Sequence, residues 1–222
     1  MKKLIILFLA LILVLSSALF IGCANDEGDA KEAEKDIVLP PERKIQVSVT
    51  YSPQYATAET LINETVAIAR IRVGNWIKEW SNVEGGGGRS YFEAEVLEVY
   101  KGELSRNIIF IQDGSSLVMV NDIPFSTYGE EIIAFLYEWD EPGVYFGSDS
   151  SIKVIHTPEN SYVIDTYFST AGTLGSCKDE IKNHIDNSEI KNSIIEITKD
   201  KNLNYIYTLD DFAKFIKNKT ES

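Results

Sequence analysis

SYFEAEVLEVY, residues 90–100, is the stretch on which the fold turns. Glu93 and Glu95 alternate with apolar neighbours, the period of two expected of a half-buried strand. Glu98 comes three residues after Glu95, not two. That one-residue change of parity near Val96 and Leu97 predicts a β-bulge, and bulges let a sheet curl into a barrel. Immediately upstream, VAIARIRV (66–73) puts Ala67, Ala69, Ile71 and Val73 on one face and Arg70 and Arg72 on the other, so it reads as a strand. Its continuation toward Trp80 is left open by the pattern. The four glycines at 85–88 join the two segments as a flexible hairpin loop. A phosphate-loop reading fails there, because no Gly-Lys-Ser/Thr follows and strand sequence stands where a helix is required.

Downstream, Lys101-Gly102-Glu103 turns the chain into NIIFIQ (107–112), and Asp113-Gly114 turns it again into a short strand at 117–120. IIAFLYEW (132–139) is apolar on both faces and is expected to be central. Further short strands are expected at 144–146, 151–155 and 162–164, with an alternating segment at 45–51 and a short helix from Ser52-Pro53 to about Glu64. Residues 176–187 read as a helix. So do 208–218, with Thr208 as N-cap and Phe212, Phe215 and Ile216 on one face. The intervening residues 190–207 fit either a strand pair or more helix. The expected fold class is mostly β (α+β), a small antiparallel barrel with C-terminal helices packed on it.

The chain has 222 residues, with 21 Lys+Arg against 34 Asp+Glu and a formal net charge of −13. With 44% hydrophobic residues it can bury a core, and its acidity excludes a nucleic-acid backbone as partner. Two cysteines exclude a disulfide framework, and two histidines leave little room for a His-based metal site or triad.

The first residues read as an address. Met1-Lys2-Lys3 is followed by the apolar run LIILFLALILVL (4–15) and then by SSALFIGC (16–23), the pattern of a signal peptide. The run to Gly22 is nearly the ~20 residues that span a bilayer, so a retained anchor helix is the competing reading. An apolar core ending in a small residue and Cys, then polar sequence, resembles the lipobox of bacterial lipoproteins; Phe20 stands where that family usually has Leu. The resemblance implies lipidation of Cys23 and cleavage between Gly22 and Cys23. The expected organisation is therefore signal peptide 1–22, flexible tether 23–44, β-barrel domain 45–170, and C-terminal helical segment 171–222. The expected location is the cell membrane, lipid-anchored on its extracytoplasmic face. Two acyl chains suffice for stable anchoring, while an acidic body is repelled by anionic lipid, so the membrane is a tether and not a substrate.

The segments VAIARIRV, FEAEVLEVYKGE, NIIFIQDG and PFSTYGEEIIAFLY, within about 56–170, resemble a loosely defined group of bacterial extracytoplasmic barrels. These are similar to the OB-like netrin and metalloproteinase-inhibitor barrels. The resemblance implies an OB/netrin-like fold and supplies no catalytic residue. Netrin-type inhibitors chelate their target's zinc through an N-terminal cysteine; Cys23 is claimed by lipidation and lies far upstream of the barrel.

Other candidates are weighed residue by residue. Cys177 needs a base, and His184 is seven residues on, ~10 Å along a helix; His156 reaches it only through tertiary folding. Glu93 and Glu95 share a strand face with the ~7 Å spacing of some glycosidase pairs, but outward Glu residues are a common solubility device. Trp76, Trp80 and Trp139, with Tyr91, Tyr128, Tyr137 and Tyr145, are the candidate ligand-binding platform, with core packing as the competing role. No catalytic residue, metal ligand or cofactor is assigned. The expected function is a non-enzymatic binding or envelope-interaction module whose partner is an envelope protein or glycan. The alternative is an envelope glycan or peptide hydrolase.

Overall fold

A computed structural model describes residues 36–49, 58–120, 125–147, 152–164, 181, 184–199, 203 and 205–221. Ten strands are described: β1 (Val47–Val49), β2 (Ala67–Asn82), β3 (Gly87–Lys101), β4 (Asn107–Asp113), β5 (Val118–Val120), β6 (Glu131–Glu138), β7 (Val144–Gly147), β8 (Ile152–His156), β9 (Ser161–Ile164) and β10 (Ile206–Thr208). Three helices accompany them: α1 (Ala58–Glu64), α2 (Ser188–Thr198) and α3 (Leu209–Thr220). None of them is long and apolar enough to cross a membrane.

The order β6–β2–β3–β4–β7 closes on itself, because β7 pairs with both β4 and β6. Four of the five pairings are antiparallel. The β4–β7 pairing is parallel, Ile109 facing Val144 and Ile111 facing Phe146, so the mainly antiparallel barrel closes through one parallel pair. The product is a five-stranded OB-like barrel. One edge of β6 is shared: its first residues pair with β8 and its last with β7. The sheet therefore forks there, and β8, β9 and β10 form a wing beside the barrel.

The bulge expected in β3 is present. Arg70 faces Glu98 and Ile71 faces Val96, so Leu97 is the extra residue. One inserted residue moves all later side chains to the other face. Phe92 and Ala94 accordingly point into the barrel with Ala69, Ile71, Phe110 and Leu136, whereas Tyr100 joins a second core outside it. That second core holds Ile133, Phe135, Val163 and Tyr207 beneath α1 and α3. α3 begins as the sequence indicates, the Thr208 hydroxyl accepting the Asp211 N–H at 3.1 Å, and it buries Phe212, Phe215 and Ile216. At the C-terminus of α1, the Lys101 ammonium donates to the carbonyls of Ile62, Asn63 and Thr65 at 2.6, 3.2 and 2.5 Å. Burial holds that ammonium below the usual lysine range.

Three expectations change. Residues 184–187 are not helical: Asn187 is the extended N-cap of α2, its side chain accepting the N–H groups of Glu189 and Ile190. A residue that caps a helix cannot continue one from upstream. The C-terminal segment also contributes a strand, β10, so it is not purely helical. Finally, the chain joins the barrel before residue 45. The Val38 N–H donates to Asn75 Oδ1 at 2.8 Å, the Trp76 N–H donates to the Val38 carbonyl at 2.9 Å, and the Arg43 guanidinium lies 4.0 Å from the Phe125 ring. β1 then pairs in parallel with β5. The Ser52-Pro53 helix start, Cys23, Cys177 and the first part of the expected 176–187 helix lie outside the described residues.

Candidate functional site

The long β2–β3 hairpin runs beyond the barrel, and its outer half decides where the tryptophans go. Val73 faces Ala94, Trp76 faces Phe92 and Lys78 faces Tyr91, so β2 carries one extra residue at Gly74–Asn75 and a second at Ile77. Without the second, Trp76 and Trp80 would share a face, being four residues apart. With it they part. Trp76 packs against the core inside the barrel, its indole N–H buried without a hydrogen-bond partner. Trp80 stands outside, 47% exposed, opposite Arg89. The three tryptophans expected to form a platform thus divide into Trp76, packed against the barrel core, and Trp139 and Trp80, half-buried and exposed respectively, outside it.

The two tryptophans outside the core meet around one cation. The Arg89 guanidinium lies 4.5 Å from the Trp139 ring and 5.6 Å from the Trp80 ring. Trp139 sits at the end of β6, with Phe146 of β7 5.9 Å away. Next to this stack the Lys78 ammonium lies 4.7 Å from the Tyr91 ring. Ile77, Lys78, Tyr91, Ile109, Trp139, Glu141 and Val144 line a cavity of about 140 Å³. Of the tyrosines expected to contribute, Tyr91 does so; Tyr145 packs on the barrel core, and Tyr128 is exposed outside this cavity.

The glycines explain the tight geometry of the hairpin end. The turn occupies 83–86, with Gly86 at φ 65°, while Gly87 and Gly88 already belong to β3. A Cβ on Gly87 would lie 3.1 Å from the Trp80 ring, and one on Gly88 would lie 2.9 Å from the Ser115 hydroxyl oxygen. Two of the four glycines are thus there for close approach, not flexibility.

The candidate carboxylates have structural duties. Glu95 accepts from Arg72 and Arg106, each at 3.2 Å, and Glu93 accepts from the Asn75 amide at 3.2 Å. They do not form an acid/base pair over a cleft.

The sequence reading missed one arrangement. His156 and Ser161 face each other across the β8–β9 hairpin. His156 Nδ1 lies 2.7 Å from the Ser161 Oγ, and His156 Nε2 lies 2.9 Å from Glu131 Oε2. The signal was present in HTPENS (156–161), where Thr157-Pro158-Glu159-Asn160 makes the turn and sets its flanking residues opposite each other. Ser, His and carboxylate in sequence is nucleophile chemistry in form. However, Glu131 is already occupied by Arg72 at 2.7 Å and Arg70 at 3.6 Å. Burial pushes the Glu131 carboxyl up, but the hydrogen bonds from Arg72 and His156 and their charges prevail and hold it below the usual range. The Ser161 N–H, a natural oxyanion donor, is taken by Asn160 Oδ1 at 2.8 Å. The geometry is that of an ion-paired strap between β6, β8 and β9. His184 is remote from it, with its ring stacked edge-on between Tyr205 and Tyr207.

Among the described residues no group of three or more His, Cys, Asp or Glu side chains is placed to hold a metal ion. Comparison with protein-family models and with curated proteins returns no match to this chain.

Proposed function

We propose that this protein is a lipid-anchored extracytoplasmic binding module. In this reading it is tethered through Cys23 and takes an envelope ligand on the outer aromatic face of its barrel. The observation that carries the binding half is the Trp80–Arg89–Trp139 stack beside a cavity, at the end of the barrel where the β2–β3 turn and the β6–β7 loop meet. OB-like barrels bind extended ligands on the face of their second and third strands and on the two loops that flank it. In the ring order β2–β3–β4–β7–β6, the second and third strands are β3 and β4, which supply Tyr91 and Ile109 to the cavity. The leader pattern ending at Cys23 supports the anchoring half.

The two halves are tested separately. A clickable fatty acid should label the wild-type protein and not Cys23→Ala; equal labelling of both removes the anchor. Acrylamide quenching of tryptophan fluorescence in the full-length protein should fall when solubilised envelope material is added, and Trp139→Ala should abolish that protection. Protection that survives in Trp139→Ala places binding elsewhere. The hydrolase reading has one observation in its favour, the Ser161–His156–Glu131 chain. Envelope glycan or peptide turnover lost in Ser161→Ala would establish it over the binding module.

A further inference from the structure

Two cations on the aromatic face form no ion pair among the described residues. Arg72, Arg106, Lys153, Lys191 and Lys217 each pair with a carboxylate at 2.6–3.2 Å. Arg89 and Lys78 are held instead against aromatic rings, and among the described residues no carboxylate or carbonyl takes their donors. In a chain with 34 acidic residues against 21 basic ones, Lys78 and Arg89 place two cations on a face whose acidic neighbours are Glu141 in the cavity and Asp113 across the sheet from Arg89. Stacking on two indoles also pre-orients the planar guanidinium, so less side-chain entropy is lost when it grips a ligand. The cavity beside them combines apolar residues (Ile77, Ile109, Val144), two aromatic rings (Tyr91, Trp139) and one carboxylate, Glu141. A dry cavity of about 150 Å³ is enough for one six-membered ring.

Resting on the binding-module reading, we propose that this face binds an acidic sugar unit of an extracytoplasmic polysaccharide. The pyranose ring stacks on Trp139 and Tyr91, and its carboxylate is held by Lys78 and Arg89. The pyranose has an apolar C–H face for the rings and hydroxyl hydrogens for Glu141 to accept. The phosphate and acyl chains of a lipid offer Glu141 no hydroxyl hydrogen to accept, whereas the pyranose hydroxyls do. A carboxylate matches the guanidinium fork and the ammonium in charge-assisted hydrogen bonds.

The test uses the full-length protein in phosphatidylcholine nanodiscs, titrated while tryptophan fluorescence is followed. The probes are a hyaluronan tetrasaccharide, which alternates glucuronate with a neutral sugar, the neutral chitotetraose, and inorganic phosphate. Hyaluronan should bind at least about tenfold more tightly than chitotetraose, the scale of one charge-assisted hydrogen bond, and added salt should erode that preference. Lys78→Met and Arg89→Met, which keep an apolar stem, should each bring hyaluronan down toward the neutral level without lowering the melting temperature. Equal binding of the two sugars overturns the acidic-sugar assignment while leaving the binding module standing. The same holds if neither sugar binds but envelope material still protects the tryptophans through Trp139. Displacement of hyaluronan by equimolar phosphate also overturns it, since the site then reads charge alone.

Discussion

Along the β2–β3 hairpin, the half containing Ala67–Val73 buries one face in the barrel and ion-pairs the charges of the other, whereas the half beyond Asn75 displays rings and cations. In the first half, alternate residues enter the barrel core and a bulge at Leu97 sends Tyr100 into the second core under α3. Its outward charges are paired, Arg72 with Glu95 and Glu131, and Arg106 with Glu95. In the second half, an extra residue at Gly74–Asn75 keeps Trp76 inside and another at Ile77 turns Lys78 and Trp80 outward beside Arg89, with no carboxylate paired to either cation among the described residues. The same pair of strands thus builds a packed scaffold and a display surface, and single inserted residues mark where one gives way to the other.

The largest effect that would sharpen this contrast is at Trp76. Trp76→Ala should destabilise the protein by about 3–5 kcal/mol in chemical denaturation, as expected for a large core side chain. A loss near zero would mean that Trp76 is not core and would dissolve the distinction between the halves. Next comes Lys101→Met, which strips the donors from three carbonyls at the end of α1 and should cost about 1–3 kcal/mol. It breaks the scaffold half only, so ligand protection of the tryptophans should persist.

The third prediction concerns pH. The folded Glu131 carboxyl lies below its ordinary value of 4.5. Its ionised form therefore favours the folded state; that contribution is complete above the unfolded value and is lost as pH falls through the folded one. Denaturation midpoints measured from about pH 5 down to about pH 3 should decline more steeply in wild type than in Glu131→Gln. Parallel curves would show that the Arg72–Glu131–His156 strap contributes nothing to acid stability. The smallest effect is at Trp80. Half exposed and outside the core, Trp80→Ala should change stability by about 0.5 kcal/mol or less while reducing ligand protection. A large loss of stability there would reassign Trp80 to the scaffold.

Several features were legible in residues alone because they depend on near neighbours. The helix cap at Thr208, the strand positions from Ala67 to Ile164, the turn before β4 and the bulge near Leu97 all follow from local pattern. Parity in a strand repeats every two residues, so one misplaced glutamate, Glu98, reported the extra residue. The extra residues at Gly74–Asn75 and Ile77 left no such mark. In GNWIKEWSN (74–82) apolar and polar residues do not alternate cleanly, so the pattern leaves open whether the strand continues to Trp80.

What composition and order determined, then, is an acidic body able to bury a core, a strand-rich middle and an amphipathic last helix. Closure of the ring through a parallel β4–β7 pair, the fork at β6, and the meeting of Arg89 with Trp80 and Trp139 were decided only in three dimensions. So was the approach of Glu131 to His156, 25 residues away in the chain. The physical reason is the same for each. These contacts join segments whose own periodicities carry no record of their partner, and they form only when the whole sheet has rolled up and its core has been packed.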